Sequence, residues 1–305
     1  MRVLLSGAAG FIGSHVAESL LERGHEVAVV DDLSSGKREN IPEAARFYET
    51  DIRAGCLRVF EEFGPEALCH QAAQMDVRRS VREPDFDAEV NILGTIRLLQ
   101  NCVEHGVGKV VFASTGGAVY GEQREFPATE DHPQYPLSPY GVSKLAGERY
   151  LNFYRVQYGL PYVALRYANV YGPRQDPHGE AGVVAIFCSN MAAGRTSTIN
   201  GSGEQTRDYV YVEDVVSANV LALEGKVPSG AYNVGTGVET SVNELYELLS
   251  EIAGKDLPPE HGPAKPGEQI RSSVNPALAG RVMRWRPEVD LADGLGETLR
   301  FFGTP

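Results

Sequence analysis

The feature that most constrains the fold is a glycine turn near the amino terminus. Residues 3–6 are apolar enough to predict a buried strand, and Gly7, Gly10 and Gly13 follow it at the spacing Gly-x-x-Gly-x-x-Gly. An amphipathic pattern then predicts a helix to about residue 23. Glycines allow a tight turn that approaches a phosphate group, and the amide N–H groups at a helix N-terminus stabilise its charge. On its own, the triplet fits a purely structural turn equally well.

An acidic residue at the end of the second predicted strand makes the glycine turn more specific. Residues 26–30 predict this strand, and Asp31 follows at about the distance at which a carboxylate binds an adenosine ribose. A carboxylate there accepts a hydrogen bond from a 2′-hydroxyl and repels a 2′-phosphate, so NAD is favoured over NADP. The neighbouring Asp32 is a second candidate for this contact, or an ordinary surface acid.

Further strands and helices alternate along the amino-terminal half. The sequence predicts helices over about 54–63 and 87–105 and strands over 67–70 and 109–114. This alternation predicts an α/β protein with a Rossmann-type doubly wound parallel sheet. Ligands of such sheets bind beyond the carboxyl ends of the strands. That rule selects Asp51, Ile52, His70, Gln74, Ser114 and Thr115, although each alone also fits a cap or turn residue, and His70 fits a buried core histidine better.

Tyr140 and Lys144 form a candidate acid–base pair. They are four residues apart, so in a helix both side chains lie on one face. An ammonium group beside a tyrosine favours the phenolate and lowers a pKa that is normally ~10. We therefore expect Tyr140 to transfer protons. Without further evidence, an ordinary amphipathic helix that carries both residues is the commoner explanation for this spacing.

Composition limits the partners and the compartment. A net charge of -13 disfavours nucleic acid and anionic membrane surfaces, because both need clustered positive charge. A core strand begins at Arg2, which leaves no room for a signal peptide, and no apolar run approaches the ~20 residues of a membrane span. Scattered cysteines without metal-ligand spacing predict free thiols, no metal site and a cytoplasmic location; they are Cys56, Cys69, Cys102 and Cys188.

Several of these motifs together resemble the extended short-chain dehydrogenase/reductase superfamily over nearly the whole chain. The resemblance is carried by the glycine turn, Asp31, Asp51-Ile52, His70-Gln71-Ala72-Ala73, Asn91, Ser114-Thr115 and the Tyr140/Lys144 pair. Within it, residues 29–36, 118–121 and 165–175 resemble UDP-glucose 4-epimerases and their close relatives.

The resemblance implies a set of ligands and site residues. NAD would contact Gly7, Gly10, Phe11, Ile12, Gly13, Asp31, Asp32, Asp51, Ile52, Gln74, Asn91, Ser114, Tyr140, Lys144 and Tyr167. A UDP-sugar would contact Asn169, Val183, Asn200, Arg207, Arg271 and Ser272. Arg207 alone also fits a surface salt bridge with Asp208, and relatives often have an aromatic residue in place of Asn200. A homodimer through the helices near 87–105 and 141–158 is also implied.

One departure from the family pattern concerns catalysis. Many relatives carry a catalytic Ser or Thr at the position of Gly116. Thr115 is our candidate substitute, because a small shift of the glycine-rich turn would bring its hydroxyl inward; the alternative is that water replaces it. Gly117 and Ala118 occupy the places where nucleotide-sugar dehydratases have an additional acid and base, which argues against that activity. Sugar-acid decarboxylases usually have a Glu at the position of Ala118, which argues against them too.

The carboxy-terminal half is expected to bind the nucleotide sugar. We predict an NAD-binding domain over 1–168 with returning segments at about 205–237, interleaved with a smaller α/β substrate domain over 169–305. By family likeness, the small Ser272 would leave room for an N-acetyl group. The expected activity is 4-epimerisation of a UDP-hexose. The rivals are another nucleotide-sugar enzyme of this scaffold and a non-catalytic NAD-binding sensor, which typically lacks the Tyr/Lys pair.

Overall fold

The computed structural model describes residues 1–177, 182–264 and 269–303. The strands are β1 (Arg2–Ser6), β2 (Glu26–Asp31), β3 (Arg46–Glu49), β4 (Ala67–His70), β5 (Lys109–Thr115), β6 (Tyr162–Tyr167), β7 (Asn169–Tyr171), β8 (Thr198–Asn200), β9 (Thr206–Arg207), β10 (Tyr209–Tyr211), β11 (Gly230–Val234), β12 (Thr240–Ser241), β13 (Glu260–Gly262) and β14 (Arg271–Ser272). The α-helices are α1 (Phe11–Glu22), α2 (Leu57–Phe63), α3 (Val77–Arg82), α4 (Pro84–Ala88), α5 (Thr95–Glu104), α6 (Pro139–Tyr158), α7 (Val183–Ala192), α8 (Val212–Glu224), α9 (Val242–Ala253), α10 (Ala277–Met283) and α11 (Leu291–Gly303).

A parallel sheet in the order β11-β6-β5-β4-β1-β2-β3 forms the main layer. Its inner strands are mostly apolar because helices cover both faces, whereas the edge strand β3 is polar at both ends and only partly buried. In β1, Val3 and Leu5 pack into the core on the face of α1 and α8, whereas Leu4 packs into the core on the face of α2, α5 and α6. All three side chains are fully buried. The predicted Rossmann-type fold is confirmed.

Two predicted helices differ from the structure in local detail. The helix expected from residue 54 begins at Leu57, because Gly55 and Cys56 have φ values of 85° and 56° and interrupt the backbone. The helix expected over 87–105 is broken into α4, a π-helical segment Glu89–Gly94, and α5. Single-turn π-bulges of this kind are frequent at functional sites.

A second core forms in the carboxy-terminal half. Helices α7, α9 and α11 pack together around side chains such as Phe187, Leu245 and Leu295, which are almost completely buried. Small sheets pair β7 with β10, β8 with β13, and β9 with both β12 and β14. Strand β11 lies in the main sheet beside β6, while the boundaries of the two domains stay a prediction.

The sequence also predicts a polar loop over residues 175–182 and a further loop over 263–273. Positions 178–181 and 265–268 of these loops lie outside the described residues. In the three described ranges, no helix has both the length and the apolarity that crossing a membrane requires. All four cysteines are buried free thiols.

Candidate active site

Helix α6 carries the predicted acid–base pair. It begins after Ser138, whose Oγ accepts a hydrogen bond from the Gly141 amide at 3.2 Å, and Pro139 occupies the first helical turn, where its missing N–H costs nothing. Tyr140 and Lys144 lie one turn apart on the same face, with the Lys144 Nζ 5.9 Å from the centre of the Tyr140 ring. The structure therefore brings this pair together as expected.

The Lys144 ammonium is almost completely buried. Its Nζ donates a hydrogen bond to the Ala113 carbonyl at 2.9 Å and lies 4.9 Å from the centre of the Phe112 ring. Burial lowers the pKa of Lys144 to about 8, although the nearby carboxylate of Asp87 opposes that shift. At neutral pH the side chain is therefore mostly charged, with a proton that is easier to remove than that of a surface lysine.

The Tyr140 phenol is affected in the opposite direction from the expectation. Loss of hydration raises the pKa of Tyr140, and the negative charge of Asp87 raises it further. The effect expected of the ammonium group does not outweigh desolvation and Asp87 here, where the Lys144 Nζ donates its hydrogen bond to the Ala113 carbonyl. Ionisation of Tyr140 therefore needs further positive charge close to the ring.

The glycine turn is packed too closely for side chains. A Cβ added at Gly7, where φ is 78°, would lie 2.5 Å from the Ala72 nitrogen, and one at Gly13 would lie 2.2 Å from the Gly7 carbonyl oxygen. Helix α1 starts after Gly10 with no side-chain cap and no acidic residue in its first turn. Its first amide N–H groups, from Phe11 onward, are therefore available to an anion such as a diphosphate.

Asp31 supports this turn from the end of β2. The residue is buried, and its carboxylate accepts hydrogen bonds from the Ala9 amide at 3.0 Å and the Leu33 amide at 2.9 Å. Burial raises the pKa of Asp31 despite these bonds. Asp32 is exposed and accepts from Ser34 instead. The structure thus ties Asp31, and not Asp32, to the glycine turn.

Two predicted cofactor residues interlock beyond β4. The backbone N–H of Gln74 donates to Asn91 Oδ1 at 2.9 Å, and Asn91 Nδ2 donates to the backbone carbonyl of Gln74 at 2.8 Å. Both side-chain amides also donate to Asp87 Oδ1. Asp87 was missed from the sequence; the only local signal is that it stands four residues before Asn91 on the same helical stretch.

The next two predicted cofactor residues lie at the carboxyl edge of β3. Asp51 caps the 3₁₀ turn Ile52–Ala54 and binds the Arg53 guanidinium at 2.6 Å. Burial acts against ionisation of Asp51, but the hydrogen bonds from Arg53 outweigh it and lower the pKa. Ile52 is buried against Gly94 of the π-helical segment, which leaves no space for a larger residue there.

His70 is a core residue. Its ring nitrogens bind Ser6 Oγ at 2.7 Å and Thr95 Oγ1 at 2.9 Å, and burial lowers the pKa to about 3, with a smaller contribution from the charge of Lys144. The ring is therefore neutral, and both its nitrogens are used within the fold. This agrees with the core interpretation of His70.

Thr115 and Gly116 lie where β5 ends. Thr115 Oγ1 and Asn169 Oδ1 each lie 3.9 Å from the position of a Cβ added at Gly117, so both oxygens border one gap. A Cβ at Gly116 would lie 2.6 Å from Val274 Cγ1. The side chain of Val274 therefore fills the space that a side chain at Gly116 would need.

Two other predicted cofactor side chains point into networks of their own. The Ser114 hydroxyl donates to Glu148, which forms a buried ion pair with Arg166. The Tyr167 hydroxyl accepts a hydrogen bond from Asn219 Nδ2 at 2.8 Å on the α8 side of the sheet, and burial raises its pKa. The structure does not bring the Tyr167 hydroxyl to the Tyr140/Lys144 pair.

Three of the six predicted substrate residues lie on two neighbouring short strands of the carboxy-terminal half. Arg207 on β9 pairs with Ser272 on the parallel strand β14, and Arg271 precedes Ser272 on the same strand. Arg271 binds Glu239 and its guanidinium lies 3.9 Å from the centre of the Phe126 ring.

The remaining members are spread over three elements: Asn169 starts β7, Val183 starts α7 and Asn200 ends β8. Asp208, the alternative partner of Arg207, accepts hydrogen bonds from Thr236, Gly237 and Val274. Within the described ranges, no three His, Cys, Asp or Glu side chains form a cluster that could hold a metal ion.

Comparisons with known proteins identify the family of the chain. Residues 3–235 match the NAD dependent epimerase/dehydratase family. The UDP-glucose 4-epimerase of Mycolicibacterium smegmatis is 48% identical over 308 residues, covering 99% of this chain and 98% of that protein. The Thermotoga maritima UDP-glucose 4-epimerase, solved with UDP-glucose, has a TM-score of 0.97 at 49% identity, with 99% of this chain and 98% of that one covered. The Thermus thermophilus UDP-glucose 4-epimerase, solved with NAD, has a TM-score of 0.93 at 49% identity, with 99% of both chains covered. The resemblance drawn from the motifs is confirmed, and the chain belongs to the NAD dependent epimerase/dehydratase family.

Proposed function

We propose that this protein is an NAD-dependent UDP-hexose 4-epimerase that interconverts UDP-glucose and UDP-galactose through a 4-keto sugar. The observation that carries the proposal is the Tyr140/Lys144 pair on α6. This helix packs against the main sheet, whose strand β1 leads into the glycine turn. The likeness to UDP-glucose 4-epimerases over nearly the whole chain supports it.

The residues at the glycine turn fit a dinucleotide. The uncapped start of α1 offers amide N–H groups to the diphosphate, and the tight approach of Gly7 to Ala72 keeps side chains away from it. Asp31 would accept from the adenosine ribose, and Gln74 and Asn91 would face the other half of the cofactor. When bound, oxidised NAD supplies a hydride acceptor for the sugar C4 and a positive charge beside the phenol.

Tyr140 is the proposed proton carrier. As phenolate it would take the proton from the sugar 4-hydroxyl, and it would return that proton when the keto sugar has presented its other face. Lys144, charged at neutral pH, favours the phenolate electrostatically and would hold the nicotinamide ribose. Thr115 and Asn169 border one gap beside Gly117, so the Thr115 hydroxyl is our candidate for the missing hydroxyl at Gly116.

Two arginines on the small sheet are proposed to hold the UDP diphosphate. A guanidinium group can engage phosphate oxygens with two parallel hydrogen bonds. Arg207 and Arg271 stand on neighbouring strands, and Arg271 is kept in place by Glu239 and the Phe126 ring. To bind a diphosphate, Arg271 would exchange at least part of its contact with Glu239.

The turn after β5 argues against a dehydratase. Removal of water across C5 and C6 needs an additional acid and base. The positions concerned are Gly117 and Ala118, and neither can transfer a proton. Nothing at this turn would carry the keto sugar on to another product, so return of the hydride is the expected outcome.

The first experiment is to incubate purified protein with UDP-glucose or UDP-galactose without added NAD and to resolve the C4 epimers. Equilibration from both sides with no net NADH would support the proposal. Net NADH, water loss or a preference for UDP-glucuronate would contradict it and identify the rival enzyme. A protein that retains NAD but changes no sugar would be the non-catalytic sensor.

We also propose that UDP-N-acetylglucosamine is accepted. Ser272 is a small, buried residue on β14 beside Arg207. Replacement of Ser272 by Tyr should lower activity on the N-acetylated sugar far more than on UDP-glucose. An unchanged ratio of the two activities would contradict this idea.

A homodimer is proposed from the outer surface of α6. Tyr150, Phe153 and Val156 are 38%, 49% and 73% exposed along this helix, and Leu93 is 45% exposed. Large apolar side chains on one long helix are typical of an interface. Light scattering should give twice the chain mass, and Phe153→Glu should halve it. We further propose a cytoplasmic location, which fits four buried thiols.

A further inference from the structure

Asp87 is a buried carboxylate at the end of α4 whose three hydrogen bonds come from three segments. Its Oδ1 accepts from Gln74 Nε2 and Asn91 Nδ2, both at 3.0 Å, and its Oδ2 accepts from Ser143 Oγ at 2.6 Å. No part of the residue reaches solvent. The oxygens of a buried carboxylate need hydrogen-bond donors, and these three supply them.

These bonds join the proposed catalytic helix to the proposed cofactor residues. Ser143 lies on α6 between Tyr140 and Lys144, Gln74 lies in the segment after β4, and Asn91 lies in the π-helical segment. The carboxylate therefore connects α6 to both segments that would face the nicotinamide half of NAD. A shift of Asp87 would move the acid–base pair relative to them.

The charge of Asp87 also affects the pKa values of Tyr140 and Lys144. Burial is the largest effect on both partners: it raises the pKa of Tyr140 and lowers that of Lys144. The charge of Asp87 raises both values, which adds to the effect of burial on Tyr140 and opposes it on Lys144. The carboxylate thus keeps a proton on each group to a higher pH.

Other charges around α6 are neutralised within the fold or lie at the surface. His70 on β4 has a pKa of about 3 and is neutral, and on β6 Arg166 is closed in its ion pair with Glu148. Ion pairs on the surrounding elements join Arg79 with Glu83, and Arg53 with Asp51 and Glu89. Lys109 lies at the far end of β5. The exposed charged side chains include Arg78, Arg82, Asp85 and Glu104.

We propose that Asp87 is a positioning residue that anchors the helix of the Tyr140/Lys144 pair to Gln74 and Asn91 and places a negative charge beside that pair. The proposal rests on the proposed function, because it concerns the same acid–base pair. If it holds, removing the charge but not the contacts should make both Tyr140 and Lys144 lose their protons at lower pH. Tyr140 must be ionised and Lys144 protonated, so both limbs of the pH profile should move downward together.

The geometry offers a suitable pair of variants. Asp87→Asn can keep both amide donors on Oδ1, while its new NH₂ group donates to the Ser143 hydroxyl, which is able to accept. It therefore removes the charge and little else. Ser143→Ala is the matched control, because it removes one contact of Asp87 and leaves the charge in place.

The first measurement is the pH dependence of kcat/KM for sugar epimerisation by NAD-loaded protein. In Asp87→Asn, both limbs should move to lower pH by about one unit or more, the scale expected for a nearby charge. In Ser143→Ala the profile should stay in place even if the protein is less stable. A profile of Asp87→Asn that coincides with the wild type, or an equal shift in Ser143→Ala, would overturn the proposal.

A second measurement does not depend on sugar turnover. The ultraviolet absorbance of tyrosinate is titrated in NAD-loaded wild type and Asp87→Asn, each against its Tyr140→Phe counterpart, so that the difference reports Tyr140. A lower midpoint in Asp87→Asn supports the proposal even if no sugar is epimerised, in which case only the proposed function fails. Equal midpoints with normal epimerisation refute the role of Asp87 alone. Should Asp87→Asn not fold, Asp87→Ser removes the same charge and carries the same prediction.

Discussion

Gly116 and Val274 offer a sharp test of the packing beside the proposed active site. A Cβ at Gly116 would lie 2.6 Å from Val274 Cγ1, well inside van der Waals contact, and 3.3 Å from the carbonyl oxygens of Arg166 and Tyr167. Val274 is 1% exposed and its amide is held by Asp208, so it cannot simply move away. We expect Gly116→Ser to lower the free energy of unfolding by about 1–3 kcal/mol, the usual cost of overpacking a core.

The assay is a double-mutant cycle in urea. Val274→Ala alone should destabilise the protein by leaving a small cavity, but in the Gly116→Ser background it also removes the overlap. The double variant should therefore be more stable than the sum of the single changes predicts, with a coupling energy of at least about 1 kcal/mol. Additive effects would show that the two side chains do not compete for this space. The two changes can also be combined with Thr115→Ala in one protein. If that triple variant epimerises sugar faster than Thr115→Ala alone, the new serine has replaced the Thr115 hydroxyl.

Four further variants test three ion pairs. Glu148→Gln should cost about 3–5 kcal/mol in urea denaturation, because it leaves the buried Arg166 without its partner. Arg271→Ala should raise the KM for UDP-glucose about tenfold or more, as expected for one lost charge-assisted contact, with kcat nearly unchanged, whereas Glu239→Gln should lower KM by releasing the guanidinium. The pKa of Glu224 is lowered to about 2 from an ordinary 4.5, so the stabilisation from its ionised form is fully present above pH 4.5 and decreases as the pH falls through 2. Glu224→Gln should therefore reduce stability by under about 1 kcal/mol at pH 7, and by less at pH 2.

Local sequence patterns were enough to predict the elements that build the main sheet. The glycine turn, the helix after it and the position of Asp31 follow from apolar periodicity and from the conformational freedom of Gly7. These features depend on residues that are close in sequence. The predicted start of α2 at residue 54 is too early, because the sequence pattern does not indicate the left-handed backbone of Cys56.

The electrostatics of the site could not be predicted in the same way. The direction of the Tyr140 pKa depends on burial and on Asp87, whose three donors come from positions 74, 91 and 143. No spacing rule connects such distant residues. The exclusion of a side chain at Gly116 likewise depends on Val274, which is distant in the chain and reaches the turn only in the folded protein.

The most direct test of the central claim replaces the Tyr140 phenol by a phenyl ring. Tyr140→Phe should lower kcat for the conversion of UDP-galactose to UDP-glucose by about a hundredfold or more, the scale of general acid–base catalysis. Tyr150→Phe, the same change on the outer face of the same helix, should leave kcat near the wild-type value. Near-normal turnover by Tyr140→Phe in folded, NAD-loaded protein would contradict the assignment of the phenol as proton carrier.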